Sequence, residues 1–332
     1  MPVRRATPRP FLSRRSFLQV GTAVMSGVAL GPRQAAASPV EKKPTRFQIA
    51  CMTLPYAKFP LARALEGIKQ AGYRYVAWGT THEEAGAQRV PVMAPDAPPE
   101  KAKELGKRCR DLGLEPLMMF SMIYPEAAEA MTVLTSRIKQ AGAAGIPHVL
   151  TFGHTKGGNR AVWIERFKKL APIARDHKVT IVVKQHGGTT GTGEACAEIV
   201  REVNDPGVMV NYDAGNVMDY LHVDPLPDIQ KCAAEVRSFC IKDHRRWPKD
   251  EDCGPGLGEI DHYRLLGPVA FTGLTMPLCC ENISAPVVPR PTTPEGVDAL
   301  ARRAREFLEI VIEGLQLSTR TAAGPHAPGT RT

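Results

Sequence analysis

Six residues in the C-terminal half of the chain stand where short apolar runs end: Lys184, His186, Asp213, Cys240, Lys242 and Glu281. They belong to four segments, Val183-Lys184-Gln185-His186-Gly187-Gly188, Asn211-Tyr212-Asp213-Ala214-Gly215-Asn216, Cys240-Ile241-Lys242-Asp243-His244 and Cys279-Cys280-Glu281-Asn282. Carboxylates beside a thiol or imidazole can hold a metal, and an amine or imidazole can take or give a proton. Residues two apart on a strand share a face. Lys184 then lies with Val182 and His186, Asp213 with Asn211, Lys242 with Ser238 and Cys240, and Glu281 with Cys279. Acids, lysines and a histidine converging in one place are costly unless paired or used.

Each residue also has a plainer structural reading. His186 can order the Gly187-Gly188 loop, Asp213-Ala214-Gly215 can be an Asx turn, and Lys242-Asp243 can be a solvated pair. Glu281 follows a wholly apolar run, where an unpaired carboxylate is rare. His82, His148, His154 and His244 read as loop or packing residues. The loop Cys253-Gly254-Pro255-Gly256-Leu257-Gly258-Glu259-Ile260-Asp261 offers backbone N–H groups at Gly256 and Gly258 to an anion or a sugar oxygen, or serves as a lid.

The elements that would position these residues alternate β-rich runs with helical patterns, as βα units on a parallel sheet do. Strands are expected at 46–53, 73–79, 114–123, 148–153, 179–186, 208–213, 238–243 and 278–283. Helices are expected at 61–71, 100–112, 126–144, 160–177, 193–203, 227–236, 260–266 and 294–314. Eight units close a (β/α)8 TIM barrel, whose chemistry sits at the C-terminal ends of the strands. The rival open doubly wound sheet usually carries a Gly-rich loop after its first strand, and Met52-Thr53-Leu54-Pro55-Tyr56 has no glycine. The last helix spaces Val297, Leu300, Ala304, Leu308 and Val311 along one face.

The N-terminus reads as an address rather than as part of the fold. Ser13-Arg14-Arg15-Ser16-Phe17-Leu18 is a twin-arginine motif, an apolar stretch runs from Phe17 to Leu30, and Ala35-Ala36-Ala37 suits cleavage. Residues 1–37 are thus expected to be a signal peptide, 46–316 a single barrel domain and 318–332 a disordered tail. The expected location is periplasmic or secreted, with no stable membrane anchoring after signal cleavage. The first 37 residues carry six arginines and no acid, so removing them lowers the net charge from +9 to about +3. That balance argues against a nucleic-acid partner. The eight cysteines form no C-x-x-C pair and are expected to be buried and reduced.

Over about residues 46–316 the chain resembles the xylose isomerase-like TIM barrels, grouped with sugar phosphate isomerases/epimerases and endonuclease IV. The resemblance rests on Lys184-Gln185-His186-Gly187-Gly188, Asp213-Ala214-Gly215-Asn216, Cys240-Ile241-Lys242-Asp243, Gly256-Leu257-Gly258-Glu259-Ile260-Asp261 and Glu281, in the family's order and spacing. In the epimerase branch a divalent metal (Mn, Mg or Zn) is held by Glu, Asp, His and Glu from four strands. The matching positions here are Lys184, Asp213, Cys240 and Glu281. An ammonium cannot ligate a metal. Either Lys184 replaces the ion, or a metal sits in a shifted site built from Asp213, Glu281 and His186, with His154 or Gln185. The histidine-rich three-metal site of endonuclease IV is absent.

The resemblance implies an exported sugar isomerase or epimerase that moves a proton next to the carbonyl of a sugar or keto-sugar. Lys184 and His186 are then electrophile and base, with Asp213 and Glu281 as organisers. Asn216, Lys242, Asp243, Gly256 and Gly258 are expected to bind substrate. The alternatives are a 3-keto-glycoside lyase or hydratase on the same barrel, and a non-catalytic sugar-binding barrel.

Overall fold

The computed structural model describes residues 43–320. The export signal expected at 1–37 lies outside the described residues, as does the tail beyond Arg320.

Eight parallel strands close on one another as expected. In chain order they are β1 (Arg46–Met52), β2 (Tyr75–Trp78), then β5 (Glu115–Phe120), β6 (His148–Phe152), β7 (Thr180–Lys184), β8 (Val208–Tyr212), β9 (Val236–Ile241) and β12 (Thr275–Cys280). β12 returns to pair with β1 and closes the barrel, which is a single domain. Two antiparallel hairpins, β3 (Thr81–Glu84) with β4 (Gln88–Pro91) and β10 (Asp243–Arg245) with β11 (Glu251–Cys253), follow β2 and β9. Both rise from C-terminal strand ends, so they wall the barrel mouth.

Side-chain alternation divides the core in two. Ala50, Met52, Ala77, Met118, Leu150, Val182, Cys240 and Cys279 pack together inside the barrel. Their neighbours Cys51, Val76, Met119, Val149, Val183, Ile241 and Cys280 face the helices instead. Such runs are apolar on both faces because a parallel barrel is buried on both. Lys184 sits two residues past Val182 and therefore points inward at the mouth.

The helices form the outer layer. α1 (Leu61–Gln70), α2 (Pro99–Asp111), α3 (Ala130–Ala144), α4 (Arg160–Asp176) and α5 (Gly193–Val203) follow the pattern read from sequence with shifts of a few residues. α3 ends where Gly145 takes a left-handed backbone, φ 71°, that a side chain would resist. α6 (Ala214–Leu221) is an element the sequence pattern does not announce; α7 (Pro225–Cys232) and α8 (His262–Leu266) complete the set before α9 (Pro294–Arg320). α9 buries Val297, Ala301, Ala304, Leu308, Val311 and Leu315, while Leu300 is only half-buried. Fully burying each branched side chain contributes roughly 1.5–3 kcal/mol. The helix runs past Gly314, where it was expected to stop.

All eight cysteines are buried and free. Among the described residues no helix is long and apolar enough to cross a membrane.

Candidate active site

The ends of β7, β8, β9 and β12 bring four charged side chains into one buried cluster. Lys184 Nζ lies 2.6 Å from Glu281 Oε1 and 3.1 Å from Asp213 Oδ2. Lys242 Nζ lies 3.3 Å from Glu281 Oε2 and 3.5 Å from the same Asp213 oxygen. Each ammonium therefore spans both carboxylates. Lys242 also contacts Asp252 Oδ2, at 3.1 Å, and donates a short hydrogen bond to Asn216 Oδ1. The Lys184 and Asp213 side chains are 3% and 0% exposed, so neither meets bulk water.

The local backbone explains why the cluster holds this shape. Asp213 is the N-cap of α6, its Oδ1 accepting from Asn216 N at 3.0 Å. Capping leaves Oδ2 facing the two lysines, without hydrogen-bond geometry to either. Asp213 N donates to Gln185 Oε1 at 2.7 Å, and Asn216 Nδ2 donates to Gln185 O at 2.6 Å. Lys184 also stands 5.6 Å over the ring of Phe120, the last residue of β5, a cation–π contact inside the barrel mouth.

Electrostatics fix the charge states. Burial would raise Glu281, but Lys184 and Lys242 outweigh it and hold this carboxyl well below its ordinary value. Burial dominates at Asp213, which is raised despite the pull of Lys242 and Lys184. For Lys184, burial favours the neutral amine, yet Glu281 and Asp213 keep its pKa above the ordinary range. Lys184 is therefore held as a cation beside the two carboxylates, which suits a charge partner and not a base.

Above the cluster opens a cavity of about 460 Å³. Lys242, Glu281, Asp252 and Asn282 line it at the barrel end, with Arg89 and Arg290 further out. Lys184 and Asp213 lie beneath this lining.

His186 is placed differently from expectation. It leaves the strand line after β7, and Gln185 rather than His186 reaches the Asp213 backbone. Its Nδ1 lies 3.0 Å from Gly153 O, and Tyr220 Oη lies 3.2 Å from its Nε2. Nδ1 must carry the proton to donate to a carbonyl, so Tyr220 donates to Nε2. Burial and Lys184 lower its pKa to about 4. Both ring nitrogens are thus occupied in a neutral ring, which suits a loop-ordering residue rather than a free base.

The expected substrate-binding set divides. Lys242 faces the cavity, while Asn216 is 2% exposed and spends its side chain on Lys242 and Gln185. Asp243 is fully buried and accepts backbone N–H bonds from His244 (2.9 Å), Gly256 (3.0 Å) and Ile260 (3.0 Å). It holds the loop after β11 rather than substrate. Gly256 N is consumed by this bond, and a Cβ on Gly258 would lie 2.3 Å from Asp243 Oδ1. Gly256 thus commits its N–H to Asp243 where a ligand contact was expected, and Gly258 lets the loop close on the same carboxylate.

Asp252 is the functional candidate that sequence reasoning missed. It lies in the β10–β11 hairpin, holds Lys242, and sits 3.0 Å from His244 Nδ1. Among the weaker histidines, His148 begins β6 at the opposite end of the barrel and His154 is exposed on Tyr124. His82 Nδ1 lies 2.8 Å from Phe59 O.

The donor set does not fit a divalent metal. Asp213, Cys240 and Glu281 offer ligand atoms within 4.8 Å of one another. Lys184 Nζ already occupies the approach to both carboxylates. Burial pushes the Cys240 thiol well above its ordinary value, so the thiolate a metal needs is disfavoured. The shifted arrangement fares no better, because His186 and Gln185 are engaged elsewhere and His154 is exposed, stacked on Tyr124.

The chain belongs to the xylose isomerase-like TIM barrel family, which it matches over residues 65–308. Solved structures agree in fold. An L-ribulose 3-epimerase superposes with a TM-score of 0.64 at 17% identity, covering 85% of this chain and 99% of that one. An IOLI protein with a bound zinc atom gives 0.64 at 16% identity, covering 81% and 99%. A xylose isomerase-like TIM barrel protein from Mycobacterium smegmatis in complex with magnesium gives 0.61 at 15%, covering 82% and 98%. No curated protein matches the sequence.

Proposed function

We propose that this chain is an exported enzyme that moves a proton next to a sugar carbonyl, as an isomerase or epimerase. The observation that carries this reading is that Glu281 and Lys242 reach the cavity together, 3.3 Å apart, from a buried charged cluster. Family membership and neighbours named as sugar epimerases support it. The twin-arginine segment supports export to the periplasm or beyond.

The chemistry follows from which groups face the substrate. Lys242 donates a hydrogen bond to the carbonyl oxygen and meets the negative charge that grows there. Glu281 takes the proton from the adjacent carbon. In the free site Glu281 is a weak base, because both lysines stabilise its charge. A substrate oxygen that engages Lys242 loosens that hold and raises the carboxylate's basicity. Lys184, beneath, keeps Glu281 aimed by its 2.6 Å contact.

Isomerisation then delivers a proton from Glu281, exchanged with solvent while the enediolate lasts, to the neighbouring carbon, and the hydroxyl proton passes to the former carbonyl oxygen beside Lys242. Epimerisation needs an acid on the other side of the sugar, and Asp252 is the second carboxylate lining the cavity.

The test is incubation of the purified mature protein with ketoses, aldoses and 3-keto-glycosides, with products read by NMR. A rearranged sugar is expected, formed at least about 100-fold more slowly by Glu281→Gln. An elimination product would mark a lyase instead. Sugar-induced thermal stabilisation without any product would mark a binding barrel and overturn the enzymatic reading.

A further inference from the structure

We propose that Lys184 and Lys242 together form a built-in dication that serves the two carboxylates and keeps a divalent metal ion out of the site. Both ammonium groups bridge the same two carboxylates. Lys184 Nζ touches Glu281 and Asp213 at 2.6 and 3.1 Å, and Lys242 Nζ faces the same pair at 3.3 and 3.5 Å. Two acids flanked by two bridging ammonium groups carry no net charge among the four.

An added divalent ion would have to approach both carboxylates against two fixed positive charges. Like charges that cannot separate in a low-dielectric site repel strongly. Neither lysine can swing aside freely. The Lys184 side chain is 3% exposed and its stem rises from β7 over the Phe120 ring. Lys242 is held by Asn216 and Asp252, which are themselves fixed by α6 and the β10–β11 hairpin.

The two lysines divide the tasks of such an ion. Lys184, beneath the cavity lining, offsets buried charge and orients the carboxylates. Lys242, at the cavity, is the positive group a ligand oxygen can reach. An ammonium offers three N–H donors but no coordination sphere. The centre therefore presents charge and hydrogen bonds without ligand exchange. Only the catalytic consequence of this arrangement rests on the proposed function; the exclusion of metal does not.

The experiment reads metal directly. The mature protein is analysed for bound metals after purification, then titrated with Mn2+ and with Zn2+ while its melting temperature is followed. Wild type is expected to hold well under one metal per chain at this site and to show the same melting temperature in chelator. Lys184→Glu combined with Lys242→Gln, with or without Cys240→His, is expected to gain about one Mn2+ or Zn2+ per chain, with a rise in melting temperature on addition. Stoichiometric metal in wild type that disappears in both Asp213→Asn and Glu281→Gln would overturn the proposal. So would a folded Lys184→Glu, Lys242→Gln variant that gains no metal, since the two ammonium groups would then not be what keeps the ion out. The wild-type measurement decides by itself where the variants fail to fold, and none of these readouts requires turnover.

Discussion

Lys184 and Glu281 stand 97 residues apart in the chain, yet their charged ends meet at 2.6 Å across the barrel mouth. One ends the β7 strand and the other directly follows β12. The contact ties non-adjacent strands through their side chains alone. Neither group could be buried without the other, because an isolated buried charge costs several kcal/mol.

Replacing Lys184 by Met therefore leaves Asp213 and Glu281 buried with one cation fewer. We expect a loss of about 3–5 kcal/mol in urea unfolding at pH 8. The sign of the pH dependence follows. Without Lys184 the carboxyl pKa values rise, so protonation on acidification relieves the repulsion and the deficit narrows toward pH 5. A deficit that widens on acidification would contradict the charge pairing.

His148 offers a separate pH test, far from the site. Burial, aided by Arg237, lowers its pKa from 6.5 to about 4. The folded protein thus refuses a proton that the unfolded chain accepts. This contribution is complete above pH 6.5 and is lost as the pH falls to about 4. One pKa unit corresponds to about 1.4 kcal/mol, so the loss amounts to roughly 3 kcal/mol. A His148→Gln variant should flatten the stability curve over that window, as measured by denaturant unfolding at stepped pH.

Asp243 is expected to act on the fold rather than on turnover chemistry. It accepts three backbone N–H bonds from the hairpin and the loop that follows. Asp243→Ala strands those donors and should cost about 2–4 kcal/mol. Hydrogen exchange at Gly256 and Ile260 should quicken in this variant, which a substrate-contacting role alone would not cause.

His186 and Glu281 should separate in kinetics. With both ring nitrogens engaged and a lowered pKa, His186 is no proton carrier near neutrality. His186→Gln should keep activity within about tenfold, with no change in the acid limb of the pH–rate profile, whereas Glu281→Gln should lose about 100-fold or more. The reverse order would return His186 to the role of base.

Much of this was legible in the sequence, for a physical reason. Strands buried on both faces read as apolar runs, so Val183, Tyr212, Ile241 and Cys280 mark the points where polar residues emerge. Lys184, Asp213, Lys242 and Glu281 follow directly from that alternation. The pattern faltered where tertiary partners decide. His186 looked available because Gly153 and Tyr220, which occupy it, come from distant segments. Asp243 looked like a partner of Lys242, but its strand neighbour's side chain points the other way, and the loop claims it. α6 was hidden because Ala214-Gly215 is poor helix-starting sequence until Asp213 caps it. Asp252 lies in a short hairpin with no apolar signal of its own.

The most direct test of the proton-transfer account is deuterium incorporation. A sugar found to be a substrate is incubated in D2O and recovered at partial conversion, and the carbon beside the carbonyl is examined by NMR. The account predicts deuterium at that carbon with wild type and with His186→Gln. It predicts at least about 100-fold slower incorporation with Glu281→Gln and with Lys242→Met. Conversion by wild type with no deuterium at that carbon, or incorporation unchanged in Glu281→Gln, would contradict it.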